Sequence, residues 1–244
     1  MNGPPDSECP SEARILTLLS ESGISRRPVD SSLTDHVDHC LVCRKTLERL
    51  TESGELESWR QTVQRSWTGA ELLDPPLQPG DLGTIVRQHG LVYAAEYGLD
   101  ATFEPYVAKP LAEFCMQSAE AARAGGPSPG RVWIAERAGQ FAGSIAICRT
   151  DRPQEAQLRW FLVMPVARGT GLGPRLLDQA LAYCRDEGVR DLYLWTFDRL
   201  HAAMTLYARA GFVETERLTH PQWGQMTTEV RMDLKVAQAA CNDS

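Results

Sequence analysis

Hydrophobic positions along this chain follow two periods, and the switches between them mark out an alternating architecture. From Asp81, a plausible N-cap, apolar residues recur at helical spacing through Leu82, Ile85, Val86 and His89, until Gly98 and Asp100 break the run. A second helical stretch is expected over residues 102–122, kinked or interrupted at Pro110 and ended by Gly125-Gly126-Pro127. Residues 131–136 and 141–148 are short β-rich runs around Ala138-Gly139-Gln140, which reads as a hairpin. Residues 158–163 are nearly apolar throughout, the pattern of a central strand buried on both faces. A helix over 174–186 places Leu176, Leu177, Ala180, Leu181 and Cys184 on one side and stops at Gly188; strands are expected at 192–196, 212–217 and 228–234. Helices first, a meander, then alternating helix and strand predict an α/β fold with a mixed central sheet and helices on both faces.

The amino-terminal third reads differently. Residues 12–20 form a short helical pattern, and Ile15, Leu16, Leu18, Leu19, Leu33, Val37, Leu41, Val42, Leu47 and Leu50 supply only a small core. Residues 53–80 hold Trp59, Trp67 and the breaker-rich Asp74-Pro75-Pro76-Leu77-Gln78-Pro79-Gly80, predicting a connector helix near 56–66 followed by an extended proline linker. The expected organisation is therefore a small helical module at 1–52, a connector at 53–80, an α/β domain at 81–236 and a flexible tail at 237–244.

Composition narrows the function classes. The chain has 244 residues, 43% of them hydrophobic, enough for one sizeable core plus a small module. No apolar run of eighteen residues and no basic-then-apolar amino terminus occurs, so neither a membrane span nor a signal peptide is expected. Seven cysteines are an odd number, and Cys115, Cys148 and Cys184 fall in apolar patterns, which fits a reducing, cytoplasmic setting. A net charge of -7 argues against general nucleic-acid binding and favours cationic, amine-bearing substrates.

The run Arg168-Gly169-Thr170-Gly171-Leu172-Gly173 lies between the apolar strand and the helix that follows, with Pro174 at the expected first helical position. Strand, glycine loop and helix together cradle phosphate, because glycines admit close backbone approach and the first turn of a helix presents unpaired N–H groups. A Walker-type loop would need Lys then Ser or Thr where this chain has Pro174-Arg175. A dinucleotide fingerprint would need a third glycine where it has Pro174 or Leu176. The remaining spacing, Arg, two residues, Gly, one residue, Gly, resembles the coenzyme A loop of the GCN5-related N-acetyltransferases (GNAT). Downstream, Leu206-Tyr207-Ala208-Arg209-Ala210-Gly211-Phe212 matches that family's Leu-Tyr-x-x-x-Gly-Phe helix end, and the resemblance runs from about residue 79 to 234.

The resemblance implies acetyl transfer from acetyl-CoA to a primary amine. Backbone groups of Leu162, Val163 and Met164 would meet the pantetheine and thioester, so this strand should splay from the next. Backbone N–H groups across Arg168, Gly169, Thr170, Gly171, Leu172 and Gly173 would hold the pyrophosphate, and Tyr207 would protonate the departing thiolate. One departure from the pattern is Leu200, where many members carry a pantetheine-binding Asn; His201 stands beside it. Glu96, Tyr97, Glu104 and Glu155 are candidate general bases, and no spacing selects among them.

In the amino-terminal module, His36, Cys40 and Cys43 are spaced four and seven residues apart, on one side of a helix and its end, and Cys9 precedes them; His39 also lies four residues before Cys43, so spacing alone leaves His36 and His39 as alternatives. Three sulfurs and an imidazole suit closed tetrahedral zinc; incidental thiols in a metal-free helical pair, or a redox-responsive thiol cluster, are the competing readings. The spacing resembles the zinc-binding anti-sigma-factor domain over about residues 9–50, which implies zinc on Cys9, His36, Cys40 and Cys43 and a protein partner such as a sigma factor. Two functions follow: an acetyltransferase regulated through a zinc module, or a non-catalytic acyl-CoA sensor whose amino-terminal module binds a partner.

Overall fold

Alternating burial along the two central strands, Glu155–Val163 and Asp191–Phe197, turns one side chain in two to the core of a single sheet in the carboxy-terminal two thirds of the chain. The structure is a computed structural model that describes residues 9–12, 15, 36, 40–52, 69–73, 77–137 and 139–237. The chain divides into two compact units, Met1–Ser66 and Trp67–Ser244.

In the first unit, helix α1 spans Leu41–Glu52, and Arg49 in its last turn pairs with Glu12. Ile15, Cys43 and Leu50 are buried, whereas Val42, expected in the core, is 63% exposed. Leu16, Leu18, Leu19, Leu33 and Val37, the connector helix near 56–66 and the tail beyond residue 237 lie outside the described residues.

The second unit runs β1 (Glu71–Leu73), α2 (Asp81–Tyr97), α3 (Phe103–Ala124), β2 (Gly130–Arg137), β3 (Gln140–Arg149), β4 (Glu155–Val163), a 3-10 turn (Pro165–Ala167), α4 (Leu172–Asp186), β5 (Asp191–Phe197), α5 (His201–Arg209), β6 (Val213–Gln222) and β7 (Gln225–Lys235). Sheet order is β1-β2-β3-β4-β5-β7-β6, antiparallel throughout except for the parallel pair β4–β5. Helices α2 and α3 cover one face, where Ile85, Val107, Leu111 and Phe114 pack with Val132, Ile134 and Ala146. Helix α4 covers the other, with Tyr183 edge-on to Trp133 of β2 at 5.4 Å.

Four expectations change. Residues 71–73, expected in the linker, form edge strand β1 on β2. Asp81 does not cap α2: Gly80 is the N-cap, and the Asp81 carboxylate accepts from the Gln78 backbone N–H at 2.6 Å. Helix α3 passes through Pro110 without interruption. A mid-helix proline costs about 3 kcal/mol, and burying each of Val107, Leu111 and Phe114 returns roughly 1.5–3 kcal/mol, so the buried face decides. Helix α4 starts at Leu172, putting Pro174 at its third position, where a missing N–H still forfeits no intrahelical bond.

The feature that creates the site is the end of the β4–β5 ladder. Pairing runs from Glu155↔Asp191 to Leu158↔Leu194 and stops; beyond it β4 stays with β3 and β5 with β7. At that point β4 carries an extra residue against β3, with the register shifting between Ser144 and Ala146, and Trp160 adopts φ 47°. A left-handed tryptophan is costly, and the Ser144 hydroxyl donating to the Trp160 carbonyl at 2.7 Å holds it there. The bulge bends β4 away and opens a V between the carboxyl ends of two parallel strands, where open α/β sheets bind ligands.

Candidate active site

A cavity of about 460 Å³ fills the V. Its wall includes Leu162, Val163, Arg168, Gly169, Gly171, Gly173 and Tyr207; Met164, Thr170 and Leu172 lie outside it. Backbone groups alternate sides along a strand. Met164 N–H donates to Ala142 O of β3 at 2.9 Å, so Met164 and Leu162 turn toward β3 while Phe161 and Val163 turn toward the gap. Of the three expected contacts on this strand, Val163 is the one whose backbone faces the cavity. Phe161 shares that orientation, and sequence reasoning missed it because the bulge is invisible in the letters.

The loop behaves as a cradle. Gly169 and Gly171 take φ 75° and 82°, conformations costly for any side chain with a Cβ. Among the described residues the N–H groups of Gly169, Thr170, Gly171, Leu172 and Gly173 have no hydrogen-bond partner, and the last two open α4, whose dipole adds positive character. Arg168 plays another part. Its N–H donates to Pro165 O at 3.3 Å, its Nε donates to Val163 O at 3.1 Å, and its guanidinium pairs with Glu96 at 2.8 Å. It braces the strand end against α2, and its backbone N–H is already committed to Pro165.

Tyr207 is 5% exposed, its ring lies 6.0 Å from Phe161 and 5.7 Å from Phe212, and its hydroxyl has no hydrogen-bond partner among the described residues. Burial, then the neighbouring Tyr93 phenol, push its pKa far above the ordinary tyrosine value. The phenol is therefore a proton donor at neutral pH. Leu200 also stands on the cavity wall.

The base candidates separate. Glu96 is tied to Arg168, and Glu104 packs beneath Gly90, where a Cβ would come within 2.6 Å of it. Glu155 accepts from Thr150 at 2.8 Å at the far end of β4. Only Tyr97 of the four reaches the wall, and burial pushes its phenol up. Glu229, not anticipated, is the one carboxylate on the wall among the described residues; its Oε2 lies 2.9 Å from His220 Nε2. Strand alternation in β7 sets Glu229 opposite the buried Val230 and Met232, a signal present in the sequence with no motif to single it out.

The sequence model of the acetyltransferase (GNAT) family matches residues 92–212. The chain carries a GNAT acetyltransferase domain. It is 32% identical over 90 residues to N-acetyltransferase family 8 member 2 of Rattus norvegicus, covering 35% of this chain and 40% of that protein. It is 29% identical over 154 residues to the uncharacterised N-acetyltransferase YjgM of Escherichia coli, covering 62% and 85%. An acetyltransferase from Streptococcus agalactiae shares the fold, with a TM-score of 0.55 and 19% identity over 68% of this chain and 98% of its own. The chain thus spans about 40% of the length of the rat protein. Among the described residues no helix is long and apolar enough to cross a membrane.

In the first unit, the ligand atoms of Cys9, His36, Cys40 and Cys43 all lie within 4.8 Å of one another. Cys9 and Cys40 sulfurs are 3.8 Å apart, the edge of a tetrahedron with Zn–S bonds of about 2.3 Å being about 3.8 Å. The Cys43 backbone N–H, at the start of α1, outweighs desolvation and holds the Cys40 thiol down at about 6. Burial pushes the Cys43 thiol up to about 12.

Proposed function

We propose that the second unit is an acetyl-CoA-dependent N-acetyltransferase acting on a primary amine. The observation that carries this reading is the β4–β5 gap, which brings an unpaired strand edge, the free N–H groups of Gly169, Gly171 and Gly173 and the Tyr207 hydroxyl to one cavity. Acetyl-CoA supplies an activated acyl carbonyl and a thiolate leaving group. The Val163 N–H would orient the pantetheine as an added strand would be oriented, the amides of Gly169 to Gly173 would hold the pyrophosphate, and Tyr207 would give its proton to sulfur as the neutral amine's C–N bond forms and the C–S bond breaks, the acetylated nitrogen releasing its proton to solvent and Tyr207 regaining one from it. Arg168 positions Val163 through its carbonyl.

Cys9, His36, Cys40 and Cys43 would hold structural zinc, closing a module too small to fold securely on its apolar surface alone. A reducing cytoplasm would keep these thiols available to the metal. Leu200, on the wall in place of a polar pantetheine contact, favours a second reading in which the domain binds acyl-CoA without turnover and regulates a partner through the zinc module. Turnover of acetyl-CoA by the full chain over peptide, aminoglycoside and polyamine acceptors and simple amines separates the two: amine-dependent thiol release supports the enzyme, and tight acetyl-CoA binding without release on any acceptor supports the sensor. Freshly purified reduced protein should carry about one zinc, and Cys40→Ser should release it; metal-free protein refutes the ligand set.

A further inference from the structure

Two charges on the cavity wall take no part in holding the acetyl donor. Arg159, on β4 immediately before the bulge, lies 5.3 Å over the Trp160 ring and donates to Gln157 Oε1 at 3.3 Å; no carboxylate faces its guanidinium among the described residues. Glu229, two strands away on β7, is the wall's one carboxylate and points into the same cavity with His220 behind it. The third charged wall residue, Arg168, is neutralised by Glu96, and His89, buried, is held neutral with its pKa down at about 4. One cation without a carboxylate partner and one carboxylate held by His220 therefore face the cavity.

Between and above them the wall is aromatic. Trp223 meets Phe103 edge-on at 5.0 Å and Tyr106 at 4.9 Å. This roof is fixed: Asp100 N–H donates to Trp223 O at 3.1 Å, and Arg199 and Gln225 both donate to Tyr97 O, at 3.0 and 3.1 Å, tying the α2–α3 corner to the β6–β7 hairpin. A polycationic acceptor would meet one carboxylate and an opposing guanidinium, so its extra charges would be desolvated without partners. A purely cationic amine would leave Arg159 buried against an apolar body. An amine that also carries an anion, on an apolar frame, matches every group.

Resting on the acetyltransferase reading, we infer that the acceptor is a free α-amino acid with an apolar, preferably aromatic, side chain. Glu229 takes its ammonium, Arg159 takes its carboxylate, and the Phe103–Tyr106–Trp223 roof takes its side chain. The cost of removing the carboxylate falls on specificity, because Arg159 then loses its only charged partner.

The test compares phenylalanine, phenethylamine and spermidine as acceptors for the full chain, with acetyl-CoA affinity measured by calorimetry alongside. Phenylalanine should be acetylated with kcat/KM roughly 10- to 1000-fold above phenethylamine. Arg159→Gln should collapse that preference while leaving acetyl-CoA affinity unchanged; should that variant not fold, the wild-type comparison decides alone. Equal or better turnover of phenethylamine or spermidine overturns the inference. So does failure to acetylate phenylalanine when acetyl-CoA binds normally, an outcome that leaves the cofactor site standing. Absence of acetyl-CoA binding overturns the acetyltransferase reading itself, and this inference with it.

Discussion

Replacing Tyr207 by phenylalanine should separate chemistry from packing, because its ring and its hydroxyl have different work. The ring lies against Phe161 and Phe212 and is kept by Tyr207→Phe. The hydroxyl has no hydrogen-bond partner among the described residues, so deleting it breaks no hydrogen bond within the protein. Stability should therefore stay level or rise by up to about 1 kcal/mol, a Tm increase of no more than about 2–4 °C for a domain of this size. Turnover should fall by roughly 10- to 1000-fold, or about 1.4–4 kcal/mol of transition-state stabilisation. Burial holds the phenol protonated, so Tyr207 ionisation should contribute no alkaline limb to the wild-type pH–rate profile near neutrality. A continuous assay of released thiol, paired with calorimetry for acetyl-CoA and a thermal melt, reads all three quantities. Wild-type turnover in the Phe variant would make Tyr207 a packing residue. A rate loss accompanied by a lowered Tm or weaker acetyl-CoA binding would equally refute the proton-donor role.

Gly173→Glu should weaken acetyl-CoA binding while sparing the fold: its Cβ would sit 3.6–4.0 Å from Leu206, Val163 and Phe161, ordinary contact distances, and a carboxylate in the first turn of α4 favours the helix. Calorimetry should show affinity down by roughly tenfold or more, and unchanged affinity in a folded protein would refute the phosphate cradle. His89 is 3% exposed, and burial, opposed by its bond to Ile85 O, lowers its pKa from 6.5 to about 4. Because the unfolded chain then binds the extra proton first, His89 stabilises nothing through protonation and its neutral form loses about 3 kcal/mol of folding stability as pH falls from 6.5 to about 4. Chemical denaturation across that window should show a steeper pH slope in wild type than in His89→Phe; equal slopes would contradict the linkage.

Much of the second unit was legible because each buried element carries its own period. Strands β2 to β5 followed from β-rich and continuous apolar runs bounded by turn residues, and helix α4 from the i, i+4 stripe of Leu176, Leu177, Ala180 and Cys184, all buried as expected. Edge strand β1 escaped because three residues beside a proline cluster carry too little pattern to outweigh their neighbours. At Pro110 local propensity allows an interruption, and the buried face of α3 keeps the helix continuous. The loop and Tyr207 were located by spacing, since phosphate contact and helix position constrain sequence directly. The Trp160 bulge, which opens the cavity, was not readable: a left-handed tryptophan is imposed by tertiary structure, and no residue type announces it. Arg159 and Glu229 lay in plain alternation but belong to strands that meet only in the folded sheet. The same limit applied to Arg168, whose partner Glu96 lies 72 residues earlier.

If acetyl-CoA occupies the β4–β5 gap against the start of α4, amide hydrogen exchange with and without acetyl-CoA will locate it there. Slowed exchange should appear at Phe161 and Val163, whose N–H groups face the gap, and across Gly169 to Gly173, whose N–H groups lack partners in the free protein, with Leu162 and Met164, already turned toward β3, little changed. Protection that misses these amides, or no protection at saturating acetyl-CoA, would contradict that placement.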